Sequence, residues 1–504
     1  MGLRWRETLK NLLPDLRWLD WRECHFIPEL CNMDLKKLLI LDLSRSPVTK
    51  YSRVWRQIME ASQEVAPELA QMKSLKELLI DGTGIETIHI QKASLQKLEK
   101  LSACGCEKLK DISPIGHLTK LKSLALDGAI NWHPENPKPF EFPQNLRRLS
   151  LRNCERLSEV PPSMGNLRLL EVMDLSYTGI IELPGSVKDL RHLKTLKMEH
   201  THLQKFPEDI VKLKKLEEID FSGCRSLRGQ VPCDISGLSS LRILRLSSSN
   251  VAGLPQGICG HSRLQILDIL RCNRLQALPE LPSSLLSLRW GSRNMTVLDL
   301  SYLTNLKELC LKDYKQPEAW SLGQTPNVEW ITRLPSLETL QLSVSKVTNL
   351  PGNFSALTQL RELSLSYMKE LDLTQLPSSS LLTLRLKHCK IPKPTFSSLQ
   401  HHLSELKLKY CELAEIVCLE DLNRLVVLII LYCKGVTNLN GLKDLPRLRK
   451  GHKIPQTNSW HPAIGSGINS PASKPLLKPV GCILQKPSAA AQLFDCDEKE
   501  KTKK

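Results

Sequence analysis

The sequence is poor in aromatic residues, which fill only 5% of its 504 positions, and it contains no long apolar run. Its best apolar stretch, Leu425–Leu431, has the length of a strand. A membrane-crossing helix needs roughly 18 apolar residues. The N-terminus has no apolar signal core, and Arg6 stands where a myristoylation signal after Gly2 wants Ser or Thr. These absences point to the cytoplasm, with the nucleus as a second location, and so to reduced thiols. The sequence also lacks the G-x-x-x-x-G-K-[ST] phosphate loop, G-x-S-x-G and H-E-x-x-H, and its 13 histidines are scattered. Cys104-x-Cys106 is a single pair with no second pair at ligand spacing. No catalytic residue, cofactor or metal is therefore expected, and the chain does not read as an enzyme.

What recurs instead is leucine. Leu75, Leu98, Leu121, Leu146, Leu170, Leu193, Leu216, Leu241 and Leu264 follow one another at intervals of 23, 23, 25, 24, 23, 23, 25 and 23 residues. The series resumes at Leu285, Leu306, Leu337, Leu360, Leu381, Leu403 and Leu425. Each opens L-x-x-L-x-L or a near variant, as in Leu146, Leu149 and Leu151. This pattern at a period of about 20–29 residues reads as a leucine-rich repeat. The expected fold is an α/β solenoid, a curved horseshoe with a parallel sheet on its concave face. Alternation with period 2 turns the leucines inward and their neighbours outward. One repeat cannot bury its leucine face alone, so stacking supplies the core. Leu-Pro pairs such as Leu183-Pro184 and Leu254-Pro255 mark a non-strand return, because proline donates no ladder bond.

Counting from the first leucine of each repeat, the ninth position is often cysteine: Cys154, Cys224, Cys272, Cys389, Cys411 and Cys433. Thr83, Thr178 and Thr201 take the same place. The chain turns inward there, and its backbone groups need partners. A small side chain with a weak S–H donor suits that turn, so these cysteines read as structural.

The repeat domain is expected over residues 1–450, with insertions near 45–74 and 312–334. The first contains a helical pattern with Trp55, Ile58 and Met59 on one side, and the second, with Trp320 and Trp330, reads as a loop on the convex side or rim. Residues 451–504, rich in Pro, Ser, Gly and Lys and without period, read as a disordered basic tail.

The net charge of +17 suits attraction to acidic partners, nucleic acid or lipid headgroups, but reads first as a soluble surface rich in Lys and Arg. In the last repeats the outward positions change character. Position 8 reads Tyr367, His388, Tyr410 and Tyr432, beside Arg385, Lys387, Lys407 and Lys409. Aromatic anchors with a cationic fringe fit a protein-binding site for an acidic surface. The same residues also fit a solvated basic face whose tyrosines pack on one another. A single column on a curved wall argues against nucleic acid.

The opening Leu13–Lys50, with Leu16, Arg17, Trp18, Leu19 and Trp21 followed by the L-D-L-S-x-S of Leu41–Ser46, resembles the first repeats of a known family. It is similar to plant intracellular immune receptors of the Toll/interleukin-receptor-type nucleotide-binding leucine-rich repeat (TIR-NBS-LRR) class. The resemblance covers roughly residues 11–450, the repeat portion only. It implies a disease-resistance module that recognises a pathogen effector or a guarded host protein. In a full receptor it implies autoinhibition of the nucleotide-binding domain through the first repeats, with Arg17, Arg22 and Arg45 as the contacts. The alternative is a generic scaffold for intracellular signalling proteins. A ubiquitin-ligase substrate receptor ranks last, for want of a helical adaptor-binding module ahead of the repeats.

Overall fold

The computed structural model describes most of residues 15–454; its longest gaps are 25–34, 56–68, 130–140, 315–326 and 435–444, and residues 1–14 and 455–504 lie outside it. The chain divides into Met1–Gln456 and Thr457–Lys504, and only the first unit contains described residues.

Among the described residues, nineteen strands form one sheet, from Trp18–Asp20 to Lys450–Ile454. Every pairing is parallel and joins neighbouring repeats in chain order. The register keeps the leucine phase: Met173 faces Leu149 and Leu196, and Leu406 faces Leu384 and Leu428. A one-residue slip would carry all of these to the open face. They pack instead into one core that runs from Leu19 to Leu445.

Among the described residues, several return legs carry a single 3-10 turn, and several a short second strand, as at Arg228–Gln230 and Asn250–Gly253. Pro161, Pro184, Pro207 and Pro255 immediately precede Pro162–Asn166, Gly185–Asp189, Glu208–Lys212 and Gln256–Gly260. Proline holds the entry extended, and each turn then delivers one buried apolar side chain, Met164, Val187, Ile210 or Ile258. A 3-10 turn closes in three residues, which suits so short a leg.

The ninth-position side chains act on the backbone as expected. Cys106, Cys154, Cys224 and Cys272 donate S–H to the carbonyls of Ile80, Leu126, Met198 and Leu246, each in the preceding repeat, at 3.1, 3.3, 3.0 and 3.1 Å. Thr83, Thr178 and Thr201 donate to Ile80, Leu175 and Met198 within their own repeat. Cysteine therefore ties repeats together where threonine closes its own turn. Burial pushes the Cys154 thiol up to about 12 and the Cys272 thiol to about 11, so both keep the proton they donate.

Two details depart from the expectations. Trp330, assigned to a rim loop, is buried in the core from the 3-10 turn Glu329–Arg333. Its neighbour in that expectation, Trp320, lies outside the described residues. In the first insertion Trp55 is buried in the core and Leu69–Ser74 is a 3-10 turn, while Ile58 and Met59 lie outside the described residues. The sheet also gains a strand at Lys450–Ile454, where the repeat was expected to have ended. The expected tail beyond it lies outside the described residues.

Position 8 has a conformation that periodicity does not reveal. Glu23, Arg45, Asn153, Tyr177, His200, Ser248, Arg271, Tyr367, His388, Tyr410 and Tyr432 all have φ between 53° and 68°. Gly82, Gly105, Gly128 and Gly223 take the same place with φ of 64° to 74°. A left-handed residue at this position turns the chain off the strand in repeat after repeat. In non-glycine residues the conformation costs roughly 1–2 kcal/mol.

Candidate functional site

The left-handed turn aims each position-8 side chain along the solenoid, so side chains of successive repeats meet. Tyr367 and His388 stack with ring centroids 5.1 Å apart, His388 and Tyr410 at 4.9 Å, and Tyr410 and Tyr432 at 5.0 Å. The rings are within 4° to 9° of parallel. The spacing is the strand separation itself. The structure thus brings Tyr367, His388, Tyr410 and Tyr432 into one column. The rings spend their faces on one another, and Tyr367 and Tyr410 remain exposed at their edges.

The column walls a groove of about 780 Å³ that also takes in Asn349, Lys369, Glu370, Lys390, Glu412 and Lys434. Period alone does not mark these residues, because they follow the ninth position, where the repeat has no fixed pattern. Lys409 stands over the Tyr410 ring, its ammonium 5.5 Å from the centroid. Arg385 is clamped between Glu362 at 3.0 Å and Glu405 at 2.9 Å, and Lys407 pairs with Glu405 at 2.8 Å. Burial works against the Glu405 charge, but Lys407 and Arg385 outweigh it and hold the carboxyl below its ordinary value. The position-5 cations are therefore engaged by glutamates at position 3, while Lys387 and Lys409 lie at position 7 beside the rings. The wall presents four cations against two carboxylates, with hydroxyls and an imidazole along one edge.

The first repeats do not gather their three arginines into one patch. Arg22 binds Asp20 at 2.7 Å and reaches Asp42 at 3.5 Å, and Arg45 binds Glu23 at 2.9 Å. Arg17 sits at the opposite end of the strand from Arg22, and its carbonyl accepts from Leu39 and Ile40.

Midway along the sheet the concave wall is a lattice of ion pairs. Arg152 lies 3.7 Å from Asp174 and 3.8 Å from Glu199, with its guanidinium 4.8 Å from the Tyr177 ring centre. Arg245 binds Glu218 at 2.6 Å and lies 3.7 Å from Asp220, and Arg289 binds buried Asp268 at 2.8 Å. Tyr177 stacks on His200 at 4.7 Å, and His200 lies flat over Gly223, where an added Cβ would come within 2.6 Å of the ring. Burial, Arg225 and Arg152 all press the His200 pKa down, so the ring is neutral near pH 7.

Comparison with known proteins agrees with this architecture. A family model described as a leucine-rich repeat region matches residues 143–226. The chain is 34% identical over 176 residues to TMV resistance protein N of Nicotiana glutinosa, covering 34% of this chain and 15% of that protein. It is 27% identical over 300 residues to disease resistance protein RPS4B of Arabidopsis thaliana, covering 55% of this chain and 22% of the relative. The chain thus spans well under a third of either relative. A leucine-rich repeat protein of Leptospira interrogans, 24% identical, superposes with a TM-score of 0.55 over 88% of this chain and 98% of its own, a likeness of fold. No helix among the described residues is long and apolar enough to cross a membrane. The chain folds as a leucine-rich repeat solenoid and is similar, over part of its length, to plant disease-resistance proteins.

Proposed function

We propose that the chain is the recognition module of a plant innate-immune sensor, acting in the cytoplasm or nucleus as a binding protein rather than an enzyme. Its ligand is a protein, either a pathogen effector or a guarded host protein, bound on the concave wall of the last repeats. The observation that carries this reading is the stacked column Tyr367–His388–Tyr410–Tyr432 flanked by Lys387 and Lys409. With their faces stacked, the rings offer a partner hydroxyls, an imidazole edge and ammonium groups at a fixed spacing of about 5 Å. That array of donors fits carboxylates and backbone carbonyls of an acidic segment, and the rigid stack lowers the entropy lost on binding. Arg385 and Lys407 support the wall through Glu362 and Glu405.

In a longer receptor the first repeats would also hold a nucleotide-binding domain inactive. Arg17, Arg22 and Arg45 would contribute there, the latter two by exchanging Asp20 and Glu23 for carboxylates of that domain. The alternative reading, a generic signalling scaffold, predicts partners that do not depend on infection.

The test is affinity capture from challenged plant tissue with the parent chain and with Lys387→Glu/Lys409→Glu. Truncating a contact of this kind costs about 2 kcal/mol or more of affinity. The reading expects a protein captured only after challenge and lost from the variant. Equal capture by both chains would remove the site.

A further inference from the structure

The sheet has a second surface, along the edge where the chain enters each strand. The two-residue turn before position 1 carries an exposed cation in most repeats from Lys97 to Arg263, including Lys120, Arg168, Arg191 and Lys215. These turns are pinned to one another. The His192 ring nitrogen bonds the Arg168 carbonyl at 2.9 Å, the Asn145 amide donates to the Thr119 carbonyl, and Ser239 donates to the Lys214 carbonyl. The cations therefore rise from a fixed ridge, one step per strand, over roughly 34 Å.

Beside the ridge runs position 2, whose backbone continues the ladder without a break from Lys76 to Gln265. There Glu99, Glu171 and Glu217 interrupt a row of Lys and Arg. Glu99 is shared by Lys76 and Lys122 at 3.3 and 2.6 Å, and Glu171 by Arg147 and Lys194 at 2.6 and 2.9 Å. The ridge is not a general device for keeping the solenoid in solution. From Ser283 to Ser380 the same turn holds only Ser, Thr, Asn, Pro and Gln.

The geometry points to this edge as a docking surface for an acidic α-helix of a partner protein. A helix repeats one face about every 5.4 Å, close to the strand step of about 4.8 Å, and flexible Lys and Arg side chains absorb the difference. The partner's carboxylates meet the cation ridge, and basic residues on the same helix meet Glu99 and Glu171. Nucleic acid fits less well, because an unbroken phosphate chain would lie against those glutamates and the ridge turns hold no Phe, Tyr or Trp for bases to stack on.

The experiment titrates the full chain at low salt with an alanine-based helical peptide bearing a glutamate stripe. One variant, Lys120→Glu/Arg168→Glu/Lys215→Glu, reverses the ridge. A control, Lys108→Glu/Arg156→Glu/Lys205→Glu, makes the same charge change at exposed residues of the return legs, outside both surfaces. Circular dichroism verifies that both fold. The expected result is at least about tenfold weaker binding for the ridge variant, about twofold or less for the control, and affinity that falls with salt. Equal losses in both variants, no binding by the parent chain, or tighter binding of duplex DNA or phosphatidylserine vesicles than of the peptide would overturn the assignment. Neither variant alters Lys387 or Lys409, so the recognition site proposed above stands or fails separately.

Discussion

The repeats before Leu264 and those after Leu360 share one core and differ in what they place on top of it. In the earlier region the main-sheet strands span three residues, as in Val172–Asp174, and the concave wall matches charge with charge. In the later region they span five, as in Thr383–Lys387, and the wall is a stack of rings with a cationic margin. Between them the left-handed turn is absent at Ser292, Asp313 and Val344, while the strands Ser287–Ser292 and Glu308–Asp313 run through position 8. Gly291 accommodates this stretch, since an added Cβ would come within 2.3 Å of the Lys312 carbonyl. The lesson is a division of labour. The inward leucines decide that the chain is a solenoid, while the residues at positions 3, 5, 7 and 8 decide whether a stretch of wall satisfies itself or presents groups to a partner.

The strongest way to break this comparison is to show that the two regions do not share a core. Leu196→Ala and Leu406→Ala should each lower stability by about 2–5 kcal/mol, read by urea unfolding; a small cost in either region would contradict a common interior. Next, Arg289→Ala leaves the Asp268 carboxylate buried without its guanidinium and should cost about 3 kcal/mol. Lys407→Ala, whose partner keeps Arg385, should cost about 1 kcal/mol or less. Equal values would mean that the ion lattice of the middle repeats is no more committed than that of the last ones. A smaller effect comes from the rings. Tyr410→Ala removes two stacked pairs and should cost about 1–3 kcal/mol. Tyr410→Gly should cost about 1 kcal/mol less, because glycine relieves the left-handed backbone. Ser248→Gly, at the same position but outside the ring column, should be stabilising.

The smallest effect appears only in alkali. The thiols of Cys154 and Cys272 have folded pKa values raised above the ordinary 9.0, so their contribution is fully present below about pH 9. It is lost as pH rises towards about 12 for Cys154 and about 11 for Cys272. Stability should fall across that window, and Cys154→Ala should flatten the slope; a slope unchanged by the variant would leave the ninth-position bonds without a measurable role.

Much of this was legible in the chain itself. Leu146, Leu170 and Leu193 announce the solenoid because burial enforces their phase, and Cys154 and Cys224 announce the inward turn because only a small donor fits there. The membership of the ring column could be read too, since residues one period apart become neighbours. Its energetics could not. Tyr410 as an exposed residue promises a substitution without cost to stability, yet its ring is packed on both sides by His388 and Tyr432. Backbone handedness, which aims those rings, belongs to the turn and leaves no mark in hydrophobic period. Arg385 looked available, but the Glu362 and Glu405 that clamp it are 23 and 20 residues away. Trp330 looked like part of an insertion because the local repeat length had drifted, while burial drew it into the core.

The central claim, that recognition belongs to the later wall and the middle wall is spent on itself, can be tested without knowing the partner. A photo-crosslinking amino acid is placed at position 410 in one chain and at position 248 in another, and both are irradiated in challenged plant tissue. The account predicts a protein adduct from position 410 that is absent from unchallenged tissue and absent from position 248. An adduct from position 248 alone, or none from position 410, would contradict it.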